Sequence, residues 1–257
     1  ITGTLLFLIQ IGTAHNGAFI CPDNNGLFTF GTASNEAFTS TTTIQCSNQV
    51  YFLSGYHELN GALTTNNFVV NSGVTIVGTD YTYQGANLNN QGTIIFNNLT
   101  LNSTVAQNIY GTGTITSLTI DNPNDVFLFG EQRVSQRLDL VNGILHTGAN
   151  KIIVDANANL FSSTSSWVSG NMQHNFSGSG IKNFFIGDNL HRSPISLNVN
   201  VVTPGGIIAH TIAGDHLNIG SSTIDSTKTN NRTWTLENAG ITFSDYNATI
   251  SWDGTEV

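Results

Sequence analysis

Charge is scarce in this chain. Only 9% of its 257 residues are Asp, Glu, Lys or Arg, against roughly 25% in an ordinary soluble domain. Seven basic residues face sixteen acidic ones, for a formal net charge of -9. A nucleic-acid binder needs basic stripes to neutralise phosphate, so that class is excluded, and an anionic membrane surface is disfavoured for the same reason. Cysteine is nearly absent too, with only Cys21 and Cys46. Two thiols without adjacent histidines make a poor metal site. In an exported chain they suit a disulfide, which would close a loop of about 25 residues and stabilise by roughly 3 kcal/mol. Two reduced thiols are the alternative.

Long apolar runs are missing. The run from Leu5 to Ile11 is too short to span a bilayer, so no membrane insertion is expected. Small residues Gly12, Thr13 and Ala14 follow it, and the stretch reads as the end of a secretory signal over residues 1–14. A buried strand is the other reading. No amphipathic helix pattern occurs.

Chemical signatures are also lacking. The acids are thinly spread, with no Asp-Asp pair and no Asp-x-Asp. Asp121, Asp139 and Asp155 lie about a repeat apart, but a carboxylate pair for glycoside chemistry needs convergence that nothing in the sequence enforces. Arg133 and Arg137 beside Asp139 read as a surface ion pair rather than a lyase site. His210, Asp215 and His216, with Asp188 and His191 upstream, are ligand types without a fixed tetrahedral spacing. The calcium-loop pattern is absent. "GTGTITS" at Gly111 has the glycines of a phosphate loop but neither its lysine nor a following helix. No catalytic residue, metal site or cofactor is therefore assigned.

Gly, Asn, Thr and Ser fill the space that charge leaves. Short runs of Val, Ile, Leu, Phe and Thr alternate with Gly and Asn, the punctuation of an all-β chain. "GTIIFNNLTLN" at Gly92 and "GTGTITSLTIDN" at Gly111 nearly repeat each other. Gly92 meets Gly111, Leu99 meets Leu118 and Leu101 meets Ile120, with Leu138 and Leu140 next. A period of about 19–21 residues holding two or three strands points to stacked coils. The columns Leu99, Leu118, Leu138 and Leu101, Ile120, Leu140 should point inward. Corner asparagines tolerate left-handed backbone and can share amide bonds between layers.

The expected architecture is a right-handed parallel β-helix followed by an antiparallel β-sandwich. Residues 15–61, which lack the repeat, read as an N-terminal cap fastened by the cysteines. The β-helix occupies residues 62–176. Residues 177–257, in which "SPISLNVNVV" alternates strictly, form the sandwich, which reads as truncated. For binding, the candidates are exposed aromatics: Tyr81 and Tyr83, which share a strand face, and Trp167. Tyr51 and Tyr56 are further candidates, and core packing is the competing role for all of them.

The series "LTLNS", "GTGTITSLTIDN", "LDLVNGILHTGANKIIV" and "WVSGNM" resembles the repeat regions of large secreted surface proteins of Bacteroidota-type bacteria. So does the succession "IKNFFIGDNLHRSPISLNV" and "NRTWTLENAGITFSDYNATISW", with the Arg-x-Trp strand of that group at Arg232 and Trp234. The resemblance covers residues 62–252. It implies an extracellular or cell-surface location, export by the type IX route, further domains of the same chain and an adhesin-like or structural role. Partners would be glycans or other surface proteins. It supplies no catalytic residues, and a carbohydrate-active β-helix enzyme is the rival class.

Overall fold

The computed structural model describes residues 14–15, 18–21, 27–30, 36–39, 41–225 and 227–252. The signal expected over residues 1–14 therefore falls, but for the backbone of Ala14, outside the described residues.

The strands stack in parallel, and their pairings sort into three ladders along a solenoid of about eight turns. The first ladder joins residues 18–21, 43–46 and 62–65, and further on residues 80–83, 98–101, 118–121, 137–140 and 159–162. The second runs through residues 27–30, 49–52, 67–70, 87–90, 107–110, 126–129, 145–146, 168–169 and 186–187. The third runs through residues 36–38, 57–59, 75–77, 93–95, 114–115, 133–134, 152–154 and 172–174.

One strand shows how the sequence builds a coil. Thr93–Leu101 reads TIIFNNLTL, and Ile94, Phe96, Leu99 and Leu101 are buried. Alternation breaks at Asn97 and Asn98, where the chain turns from the third ladder into the first. The expected columns form: Leu99 pairs with Leu118 and Leu118 with Leu138, while Leu101 pairs with Ile120 and Ile120 with Leu140. All six side chains are buried. Each contributes about 1.5–3 kcal/mol through burial. Towards the N-terminus these columns turn aromatic at Tyr81 and Tyr83, and the second-ladder interior holds Phe30 stacked on Phe52 at 5.3 Å and Phe68 tilted against Tyr83 at 5.9 Å.

The glycine match shifts. Thr93 pairs with Thr114 while Leu99 pairs with Leu118, so two residues of slack are absorbed at the corner between them. The Gly92 carbonyl consequently accepts from Thr114 N, directly after Gly113 rather than Gly111. Gly111 is a turn between coils, with φ of +85°. A Cβ there would meet the Asn90 carbonyl at 2.4 Å, so only glycine fits. Buried amides fill the corners. Asn90 Nδ2 donates to Gln132 Oε1 at 3.1 Å, and Gln132 Nε2 to the Gly111 carbonyl at 2.8 Å. At another corner Asn122 Nδ2 donates to Gln107 Oε1 at 3.0 Å.

Parallel stacking begins before Ala62. Within the segment expected as a cap, Thr43–Phe52 pairs along its length with Ala62–Val70. The early coils do not echo the leucine repeat, because their inward residues are mostly Phe and Val.

After the solenoid the pairing turns antiparallel. Gly205–Ala213 adds to the last third-ladder strand, Val168–Phe176, and Arg232–Ala239 adds to it in turn. A second antiparallel sheet is made by Gly180–Phe184, Ile195–Thr203 and Thr242–Ile250. Leu197 of this sheet and Ile207 of the first line a common cavity of about 130 Å³, so the two layers face each other. Ile195, Leu197 and Val199 are buried, as their alternation requires. Arg232 ties the layers to the solenoid end. Its fully buried guanidinium donates to Asp188 Oδ2 at 2.6 Å, and Trp234 Nε1 donates to the Ser193 carbonyl at 3.1 Å. Among the described residues no helix is long and apolar enough to cross a membrane.

Candidate binding face

The outward side of the second ladder concentrates amides and rings. Because side chains alternate across a strand, in-register stacking puts residues of like position into columns. One outward column reads Gln49, Asn67, Asn87, Asn108, Phe127, His146. The other reads Tyr51, Val69, Asn89, Tyr110, Phe129. No carboxylate, lysine or arginine stands in either column.

The amides form a continuous ladder. Asn67 Nδ2 donates to the Asn48 carbonyl at 2.8 Å, Asn87 Nδ2 to Asn67 Oδ1 at 2.7 Å, and Asn108 Nδ2 to Asn87 Oδ1 at 2.9 Å. Beside it, Asn89 Oδ1 is buried and has no hydrogen-bond partner among the described residues. The rings continue the pattern. Tyr110 and Phe129 stack at 5.0 Å with 15° between planes, and Phe127 stacks on His146 at 4.6 Å and 12°. His146 Nε2 lies 3.1 Å from Asp125 Oδ2, which fixes the imidazole. Phe129 is 56% exposed and Tyr110 36%.

Two depressions lie on this face. A trough of about 550 Å³ runs over Tyr51, Asn67, Asn87, Asn89 and Tyr110. A cleft of about 430 Å³ opens nearer the C-terminal end, over His146, Gly148, Ser169 and Gly170, with Asp188, Asn189 and Leu190 as a wall. Burial alone would raise the Asp188 carboxyl. Hydrogen bonds from the Leu190 and His191 amides and from Arg232 outweigh it and hold the group below the usual carboxylate range.

Of the aromatics singled out in the sequence, Tyr51 stands on this face, whereas Tyr81, Tyr83 and Trp167 lie elsewhere. Tyr81 and Tyr83 sit in the inward columns under Leu99 and Leu101, and Tyr83 is 1% exposed. The Tyr81 hydroxyl donates to the Leu63 carbonyl, and the Tyr83 hydroxyl lies 2.6 Å from the Asn87 carbonyl. Burial pushes both phenols up. They are core residues with satisfied hydroxyls, which corrects their assignment as exposed binding residues. Alternation shows that the two tyrosines share a face. It does not show which face, and the large interior of the early coils takes them. Trp167 is half-buried; its Nε1 donates to the Asp188 carbonyl at 2.7 Å, and a Cβ on Gly187 would lie 2.7 Å from its ring. It props the 187–193 loop rather than offering a free ring.

Cys21 and Cys46 are register partners in adjacent parallel strands. The side chain of Cys21 lies outside the described residues, and with it the expected bridge. Cys46 is buried.

Asp121, Asp139 and Asp155 do not converge. Thr119, not Asp121, pairs with Asp139, and Asp121 pairs with Asn142. Asp121 accepts from Asn102 at 3.2 Å, Asp139 pairs with Arg137 at 2.8 Å, and Asp155 pairs with Arg133 at 2.8 Å. Among the described residues no three His, Cys, Asp or Glu side chains group as metal ligands. Compared with known proteins, the chain matches no family model, and no curated protein or solved structure matches it either.

Tyr110 and Phe129 were passed over in the sequence because they sit in different coils, at the ends of "QNIY" and "VFLF". Their common position appears only once the coils are laid in register.

Proposed function

We propose that the chain is a structural or adhesive stalk, secreted or held at a cell surface, whose second face is its binding surface. The fold supports a stiff spacer, since each coil is hydrogen-bonded to its neighbours along three ladders. The observation that carries the reading is the uncharged double column from Gln49 to Phe129, in which a linked row of amides leads to the stacked rings of Tyr110 and Phe129. Side chains held in register on rigid strands lose little further freedom on binding. The resemblance to Bacteroidota-type surface proteins points the same way. A catalytic role has less support, because each acid considered is already engaged by a neighbour.

Attachment tests the proposal. Beads carrying the wild-type chain should adhere to cell surfaces, and beads carrying the Tyr110→Ala/Phe129→Ala double variant should adhere at background level. Equal attachment by both would remove the second face from the account.

A further inference from the structure

We propose that the ligand of the second face is a neutral, linear polysaccharide lying along the solenoid axis. This rests on the reading of that face as a binding surface and names what it binds.

Polarity comes first. Each asparagine amide has two N–H donors and an oxygen with two lone pairs. The ladder through Asn67, Asn87 and Asn108 uses one donor and one lone pair at Asn87, so a donor and an acceptor remain at that rung. The linked amides stand one per coil through Asn67, Asn87 and Asn108, about 4.8 Å apart. A polymer with repeated hydroxyls, each both donor and acceptor, matches this row.

The rings come second. Tyr110 and Phe129 cover one face of each other. The next residue below Tyr110 in the column is Asn89. Beyond Phe129 the pairing with the next coil ends at Phe127 and His146, and Gly148, two residues further on, carries no side chain. Phe129, 56% exposed, thus offers its outer face as a platform. The apolar C–H face of a sugar ring can stack on such a platform as an apolar surface does.

Charge and backbone narrow the choice. The columns contain no ion to hold an anionic polymer, and the chain's net charge of -9 repels one. An extended peptide would bind by adding to a sheet edge. The second-ladder strands from 49–52 to 126–129 are already flanked on both sides, so the face offers side chains and no edge.

Calorimetry with the whole chain tests this. The probes are neutral oligosaccharides of glucose, xylose, mannose and N-acetylglucosamine, from disaccharide to hexasaccharide, with polygalacturonate and heparin as anionic controls. At least one neutral series should bind, more tightly with length and with little dependence on salt. Tyr110→Ala/Phe129→Ala should weaken binding by about tenfold or more, and Ile95→Ala on the third ladder should leave it unchanged. Absence of binding by every neutral series, equal binding by the double variant, or tighter binding of the anionic controls would overturn the proposal. If the oligosaccharides fail while the double variant still loses cell attachment, the ligand class is wrong and the binding face stands. If attachment also survives the double variant, both fall. Self-association through the face, seen by sedentimentation as a dimer lost in the double variant, would replace the glycan by a second copy of the chain.

Discussion

Leu118 lies in register between Leu99 and Leu138, buried on every side. This contact defines the solenoid interior, and truncating it should be expensive. Leu118→Ala should destabilise the chain by about 2–5 kcal/mol. Phe129→Ala on the outward column should cost far less, under about 1 kcal/mol. Denaturant unfolding of both variants checks the contrast, and similar losses would mean that the inward and outward assignments are wrong.

The buried corner amides should behave as a coupled pair. Asn90→Ala strands the Gln132 carboxamide oxygen and should cost about 1–3 kcal/mol. A double-mutant cycle with Gln132→Ala should then show non-additivity, because the second truncation removes the stranded group. Strict additivity would argue against the bond.

His174 should make the fold sensitive to mild acid. It occupies an inward position between Val154 and Ile207, edge-on to Phe184 at 5.4 Å. Burial, and then the Lys182 charge, pull its imidazole down to about 3. The unfolded imidazole titrates near 6.5, so below that pH the unfolded chain takes up a proton that the folded chain refuses. Stability should therefore fall as pH drops from about 6.5 towards 3, by up to about 1.4 kcal/mol per unit. His174→Phe should flatten thermal stability across that window, and an unchanged pH profile would contradict the burial assignment.

Asp188 and Arg232 should act at lower pH. The carboxyl is held below its usual range, so the stability it contributes is present above the unfolded carboxylate value and is lost as pH falls through the folded one. Arg232→Met leaves Asp188 without its cation and should cost roughly 3 kcal/mol. The loss should appear in the unfolding of the antiparallel layers, followed by hydrogen exchange at Thr211 and Thr233. Unaltered exchange there would mean that the pair does not fasten the layers.

The register of Cys21 with Cys46 suits a cross-strand bridge, since neighbouring strands lie about 4.8 Å apart and disulfides span Cα separations of about 4.4–6.8 Å. Thiol titration of the denatured, unreduced chain should find no free thiol. Two free thiols would show that the early coils hold without a bridge.

The columns were legible because Leu99, Leu118 and Leu138 recur at nearly constant spacing with the same neighbours. The sheet layers after residue 177 were legible from the alternation of Ile195, Leu197 and Val199. The depth of Tyr81 and Tyr83 was not, because local alternation carries no sign for inside and outside. The early coils were obscured by Phe28, Phe30, Phe52 and Phe68, which fill the interior without echoing the leucine repeat. The pairing of Arg232 with Asp188 depends on how the last strands fold back onto the solenoid, which no local pattern encodes. The binding face needed both the period and its local slips before Tyr110 could be set beneath Phe129.

The central claim is that one of three faces makes the contact, and protection from labelling tests it most directly. Single cysteines in place of Thr82 on the first ladder, Val69 on the second and Ile95 on the third would be labelled in free and surface-bound protein. The account predicts that binding protects position 69 and leaves 82 and 95 reactive. Protection at 82 or 95 with position 69 still reactive would contradict it.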